Sequence, residues 1–257
     1  MSIFVLALSR LVPISFLISL TLIGSRYLHD LVWRTRPEAA RWAFAAVSFV
    51  GLIATMPYAF RAGLIIDSTL TASRGQWAKT DALLTVYDSW DGHWSETGLR
   101  EWAFARMNRG DWAGAEKVLR MSEKQSAQTN ILIGVCQYYE GNPAAEATLA
   151  AVPNASGTQL CLRDYILARI AQKRGDFARA FQLYGQSAVW EPDFFPSVYH
   201  GVRLSLLKHD PRLAARILDR FVRQFPTNAA DRDVTILRQN IAANSIPPDK
   251  EFVVVSD

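Results

Sequence analysis

From residue 42 to residue 60 the chain reads WAFAAVSFVGLIATMPYAF, with no charge and no polar stripe at period 3.6. Residues 1–25 are similar in kind, with Arg10 as their one charge. A helix that spans a bilayer needs about 20 apolar residues, because the hydrocarbon is about 30 Å thick and each residue rises about 1.5 Å. Both stretches therefore predict transmembrane helices, joined by an Arg-rich loop over residues 25–41. Arg41 and Arg61 bracket the second stretch, and Tyr27, Trp33, Trp42 and Tyr58 fall near the expected interfaces. The first stretch lacks a basic leader and a small-x-small cleavage site, so it reads as a span and not as a signal peptide. Past residue 66 the pattern changes to short amphipathic helices separated by a recurring turn. The last of them, over Thr227–Asn244, places Val234, Ile236, Leu237 and Ile241 on its apolar side. Pro247 and Pro248 stop any helix there, and the tail from residue 245 to 257 is expected to be an unstructured end or, through Phe252 and the valines after it, a strand in search of an edge.

The turns are alike. They read Arg74-Gly75-Gln76-Trp77, Arg109-Gly110-Asp111-Trp112, Glu140-Gly141-Asn142-Pro143, Arg174-Gly175-Asp176-Phe177 and Lys208-His209-Asp210-Pro211. With His209 taken as the last glycine equivalent, the intervals are 35, 31, 34 and 34 residues. Around Gly175 the pattern is fullest, with small Ala168 before the turn and Ala180, Tyr184 and Pro192 after it. Ala214, Leu218 and Pro226 repeat it in the fifth unit, and Ala103, Ala115 and Leu119 in the second. The third unit is short, with Gly134, Ala145 and Leu149 as the nearest fits, and the first has Thr80 in place of the small alanine. A period near 34 with these residue types resembles the tetratricopeptide repeat (TPR). The resemblance implies an all-α chain: two transmembrane helices, then a TPR-like α-solenoid of about five helical hairpins closed by a capping helix. The corresponding domains are a membrane module over 1–60, a solenoid over 61–244 and a tail over 245–257. No Gly/Ser/Pro linker separates the second span from the first hairpin, so a rigid junction is expected.

Charge adds to this picture. Residues 1–66 hold six arginines against Asp30 and Glu38, and the remainder of the chain is neutral. The basic excess thus lies beside the apolar stretches and points to a membrane surface, not to nucleic acid. By the positive-inside rule the Arg-rich loop faces the cytoplasm, which puts the solenoid on the periplasmic side of a bacterial inner membrane, the cytoplasmic side remaining the alternative. Cys136 and Cys161 show no metal spacing and read as buried thiols, and the four histidines are scattered. No GxSxG, P-loop, HExxH or GxGxxG motif is present, so the expectation is no enzyme, no catalytic residue, no cofactor and no metal.

In a TPR array the first helix of each hairpin lines a concave groove. The resemblance places Arg100, Phe104, Val135, Tyr139, Tyr165, Arg169, Lys173, Tyr199 and Arg203 there. Rings and arginines so spaced suit an acidic or carboxylate-ended peptide. The function implied is that of a membrane-anchored scaffold or adaptor that binds protein partners and helps assemble a membrane complex. Its layout is similar to inner-membrane TPR subunits of Pel-type exopolysaccharide export and of cytochrome c maturation. The alternative is an accessory subunit of a transport or secretion machine that contributes its transmembrane helices. Expected partners are other membrane-complex subunits or an acidic peptide segment, and the lipid bilayer.

Overall fold

The computed structural model describes residues 38–91, 94–152 and 157–253, which form eleven α-helices and one 3-10 turn, with no strand among them. The chain divides into two compact units, Met1–His93 and Trp94–Asp257.

In the first unit, α1 (Glu38–Ser73) turns back into α2 (Trp77–Asp91). The first expected span lies outside the described residues. The expected loop does too, except for its last residues, which are already helical because α1 begins at Glu38. Among the described residues no helix is long and apolar enough to cross a membrane. α1 passes through Pro57 without a break, and nothing interrupts it at residues 60–61, in line with the missing linker in the sequence. Where its side chains are described before residue 61, Phe49, Met56, Tyr58 and Phe60 are exposed. Beyond that point it packs on α2 through Leu64 and Leu84. Thr80, the exception to the alanine pattern, is buried, and its hydroxyl lies 2.9 Å from that of Thr71. A hydroxyl at a close helix contact is tolerated because it has a partner there.

The second unit continues with α3 (Glu96–Met107), α4 (Trp112–Leu119), α5 (Ala127–Tyr139), α6 (Ala145–Ala150), α7 (Gly157–Lys173), α8 (Phe177–Trp190), α9 (Phe195–Leu207), α10 (Pro211–Gln224), the 3-10 turn (Pro226–Ala230) and α11 (Arg232–Ala242). Each helix packs on its successor, and α3, α5 and α7 also pack in sequence, as do α9 and α11. Contacts confined to near neighbours along the chain are those of a solenoid.

The recurring turn has one physical cause. Gly75, Gly110, Gly141, Gly175 and His209 all have positive φ, between 58° and 82°. At each, the amide bonds back three residues and the following amide bonds back five, as in Gly175 to Gln172 and Asp176 to Ala171. This is the Schellman closure, which satisfies the last carbonyls of a helix and asks for a residue that tolerates the left-handed region. Asp111, Asp176 and Asp210 then accept the amides of Gly114, Arg179 and Leu213 and so cap the next helix. One tripeptide ends a helix and starts another.

The small positions Ala103, Ala115, Ala168, Ala180 and Ala214 are all fully buried, and so are Leu84, Leu119, Leu149, Tyr184 and Leu218. In the third hairpin Gly134 takes the role of alanine more severely. A Cβ there would lie 2.5 Å from Leu149 Cγ, so α6, only six residues long, sits directly on the backbone of α5. The aromatic after the turn packs unevenly: Phe177 is 42% exposed, whereas Trp112 is half-buried and stacks on Tyr139 at 4.4 Å. α11 closes the array as expected, through buried Val234 and Leu237 packed with Leu218 and Phe221.

Candidate functional site

The tail is not an unstructured end. From Ser245 to Val253 it lies in non-helical, ladder-free conformation along α9, α7 and α5, running back toward earlier hairpins. A positive φ of 49° at Asn244, just past α11, starts the reversal. The backbone of the tail is held by side chains of the solenoid. Arg203 Nε donates to the Pro247 carbonyl at 3.1 Å, the Tyr199 hydroxyl to that of Pro248 at 3.0 Å, and the Tyr139 hydroxyl to that of Phe252 at 2.7 Å.

Its side chains alternate between two sides, as an extended chain requires. Asp249 and Glu251 face Arg169, whose guanidinium donates to Asp249 Oδ1 at 2.8 Å and to Glu251 Oε2 at 2.6 Å. Gln172 adds a donation to Asp249 at 3.1 Å, the Tyr138 hydroxyl donates to Glu251 at 2.6 Å, and Lys173 Nζ lies 3.7 Å from Glu251. On the other side Lys250 pairs with Asp233 of α11, and the Phe252 ring packs edge-on against Phe195, Tyr199 and His200.

Electrostatics follow from this cluster. Burial works against the charge of Arg169, but the hydrogen bonds from it to Asp249 and Glu251 outweigh that and hold it protonated more firmly than a free arginine. Burial raises the two carboxyls in turn, yet their bonds to Arg169, and for Glu251 first to Tyr138, leave both below the usual carboxylate range. His200 is fully buried, stacked on Tyr184 at 5.1 Å, and burial together with Arg169 pushes it down to about 3. Its neutral ring therefore accepts from Arg169 at 3.4 Å through Nδ1, and the 3.8 Å approach to Asp249 is not an ion pair.

The shifts of His200, Asp249 and Glu251 share one sign. Below pH 6.5 the unfolded chain takes up a proton at His200 that the folded one refuses, and the depressed carboxyls add to the loss from their ordinary values of 4.5 and 3.8 downward. Stability of the second unit should be level near about pH 7 to 8 and should fall by up to about 1.4 kcal/mol per pH unit as His200 passes through its window on acidification. Above about pH 8 the buried thiols, whose pKa burial raises from 9.0, lower it again. Urea melts of His200→Phe, which keeps the stacking, should lose most of the slope between about pH 6.5 and 5. An unchanged slope would show that another group carries it.

Of the residues that the sequence assigned to the groove, Tyr139, Arg169, Lys173, Tyr199 and Arg203 all touch the tail. Val135 and Tyr165 do not line a groove; both are fully buried core residues. Tyr165 lies under the cluster against Tyr184, Phe194 and His200. Arg100 is turned to Glu96 at 3.5 Å and Thr97 at 3.4 Å, and Phe104 is half-buried; neither is among the described contacts of the tail. Arg169 is a second correction, since only 1% of it is exposed and it is no surface residue. Tyr138, Gln172, His200 and Asp233 were missed. Gln172 could have been found as the residue one turn beyond Arg169 on the same helix face.

The arrangement is an array of donors that grips carboxylates and backbone carbonyls. Cys136 and Cys161 are buried free thiols, and burial pushes Cys161 up to about 12. Among the described residues no group of His, Cys, Asp and Glu could hold a metal. An apolar cleft of about 180 Å³ lies between α8, α9 and α10, lined by Phe181, Val189, Val198, Ile217 and Phe221.

No protein-family profile matches the chain, and no curated protein does. Among solved structures the chain is similar to YrrB, described as a TPR protein with an unusual peptide-binding site. The match has 12% identity and a TM-score of 0.46 and covers 69% of this chain and 90% of that one.

Proposed function

We propose that this protein is a membrane-anchored scaffold whose solenoid binds an extended acidic segment of a protein partner and so helps assemble a membrane complex. The observation that carries the reading is the groove itself, where Tyr138, Tyr139, Arg169, Gln172, Tyr199 and Arg203 hold an extended acidic peptide. Main-chain carbonyls give such a site affinity for any extended chain, and the guanidinium gives it a preference for carboxylates. Anchorage is supported by the uncharged run 42–60 and by the exposed Phe49, Met56, Tyr58 and Phe60 on α1, which water alone would solvate poorly. The arginines between the two apolar stretches favour a periplasmic solenoid on a bacterial inner membrane.

A photo-crosslinking residue at half-exposed Lys173, in the full chain in its native membrane, tests this. Discrete adducts with membrane-resident proteins are expected there, and not from the same probe at exposed Val189 on α8. The protein should also stay with the membrane after alkaline carbonate extraction. Adducts to its own tail alone, or equal adducts from both positions, would sink the scaffold reading. Ser89→Cys should react with an impermeant maleimide from the periplasmic side while the buried native cysteines stay silent.

A further inference from the structure

We propose that the segment Pro247–Phe252 is a built-in competitor for the groove, and that the external ligand is an extended segment of the same pattern, acidic-x-acidic-aromatic. This deepens the peptide-binding reading above and rests on it.

The first argument is the state of Arg169. It is almost wholly buried, and among the described residues both carboxylates that pair with it come from the tail. The solenoid thus presents a cation at the floor of its groove and does not itself supply the countercharge. Any segment that covers this guanidinium must bring carboxylates to it, because an unpaired buried charge is costly. Whatever occupies the groove in place of the tail has to bring them.

The second argument is the specificity of the contacts. Carbonyls of Pro247, Pro248 and Phe252 are captured in a way that any extended chain satisfies. Three side chains are read individually: Asp249 by Arg169 and Gln172, Glu251 by Arg169 and Tyr138, and the Phe252 ring by the aromatic platform of α9. Spacing of the acids by two residues is what puts both on the Arg169 side.

The third argument is that the strap can leave. It forms no ladder, and its buried apolar contacts are those of Pro247 and of the partly buried Phe252 ring, while the side chains of Asp249 and Glu251 are 43% and 38% exposed and Ile246 and Val253 stay in water. Segments with few buried apolar contacts open at lower cost than the hairpins they rest on. Only residues 243–246 join the strap to α11, so it competes at a high local concentration.

The probe is a fluorescent synthetic peptide of sequence IPPDKEFV, titrated by anisotropy onto the purified full chain and onto its Asp249→Lys/Glu251→Lys variant. A tethered ligand acts at an effective concentration of about 1 mM, so the variant should bind the peptide at least about tenfold more tightly than the wild type. A peptide with both acids changed to lysine should bind neither. Equal affinity for wild type and variant would overturn self-competition while leaving a peptide-binding groove in place. A variant that keeps its helicity but binds no peptide would overturn the groove reading itself. As a second route, a protease site inserted between Asn244 and Ser245 allows the strap to be cut after folding, and cleavage followed by dilution should open the groove to the probe. No gain in binding after cleavage would count against the proposal. Wild-type dimers that grow with concentration and vanish in the charge-reversed variant would show that the strap docks on a second copy, which also overturns it.

Discussion

Arg169→Glu is expected to expel the tail from the groove while the hairpins remain helical. The change would set three carboxylates where one guanidinium now bridges Asp249 at 2.8 Å and Glu251 at 2.6 Å. Breaking a buried pair costs about 3–5 kcal/mol when the orphaned charge stays buried. Here both orphans sit at the edge and can turn to water, so the loss should lie near the lower end for such contacts, about 2 kcal/mol. Arg203→Glu should do much less, since Arg203 is only half-buried and its described bond to the tail is the one to the Pro247 carbonyl. Limited proteolysis read by mass spectrometry checks this: cleavage after Lys250 should accelerate strongly in Arg169→Glu and little in Arg203→Glu. Equal rates in the wild type and Arg169→Glu would mean that the guanidinium does not hold the tail.

Phe221→Ala should give the largest loss of stability. Phe221 is almost fully buried between α9, α10 and α11, with the rings of Phe195 and Phe225 at 5.4 and 5.3 Å. Emptying such a site costs about 3–5 kcal/mol, through lost transfer energy and an unfilled cavity. In a unit of this size that lowers the melting temperature by about 10 °C. Phe177→Ala removes the same atoms from a ring that is 42% exposed, so about 1 kcal/mol or less is expected. The pair also tests function, because Phe195, which Phe221 supports, is one wall of the Phe252 site. Tail cleavage should therefore quicken in Phe221→Ala below its melting temperature. Similar melts for the two alanine variants would show that the wedge after the turn, and not the α10 core, carries the packing.

The hairpins were legible in the sequence because their cause is local. A Schellman closure needs one residue at positive φ, a capping Asp behind it and small side chains at fixed offsets, and each of these leaves a letter in the chain. Even His209 could be placed as a glycine equivalent, from spacing alone. Which helix face lines the groove came from the resemblance to the tetratricopeptide repeat, and the period of 3.6 kept Tyr139, Arg169, Lys173, Tyr199 and Arg203 together on it. Local pattern could not say how deep each would sit: Tyr165 and Arg169 lie one turn apart on α7, and both are buried, the first by α8 and α9 and the second by the tail. Nor could it see that the tail has a place at all. Asp249, Glu251 and Phe252 carry no helical or strand period, and their partners stand about 50 to 115 residues away in the chain. Only the stacking of three hairpins brings Tyr138, Arg169 and Tyr199 side by side, and a segment without structure of its own becomes ordered because that surface supplies partners for Asp249, Glu251 and Phe252.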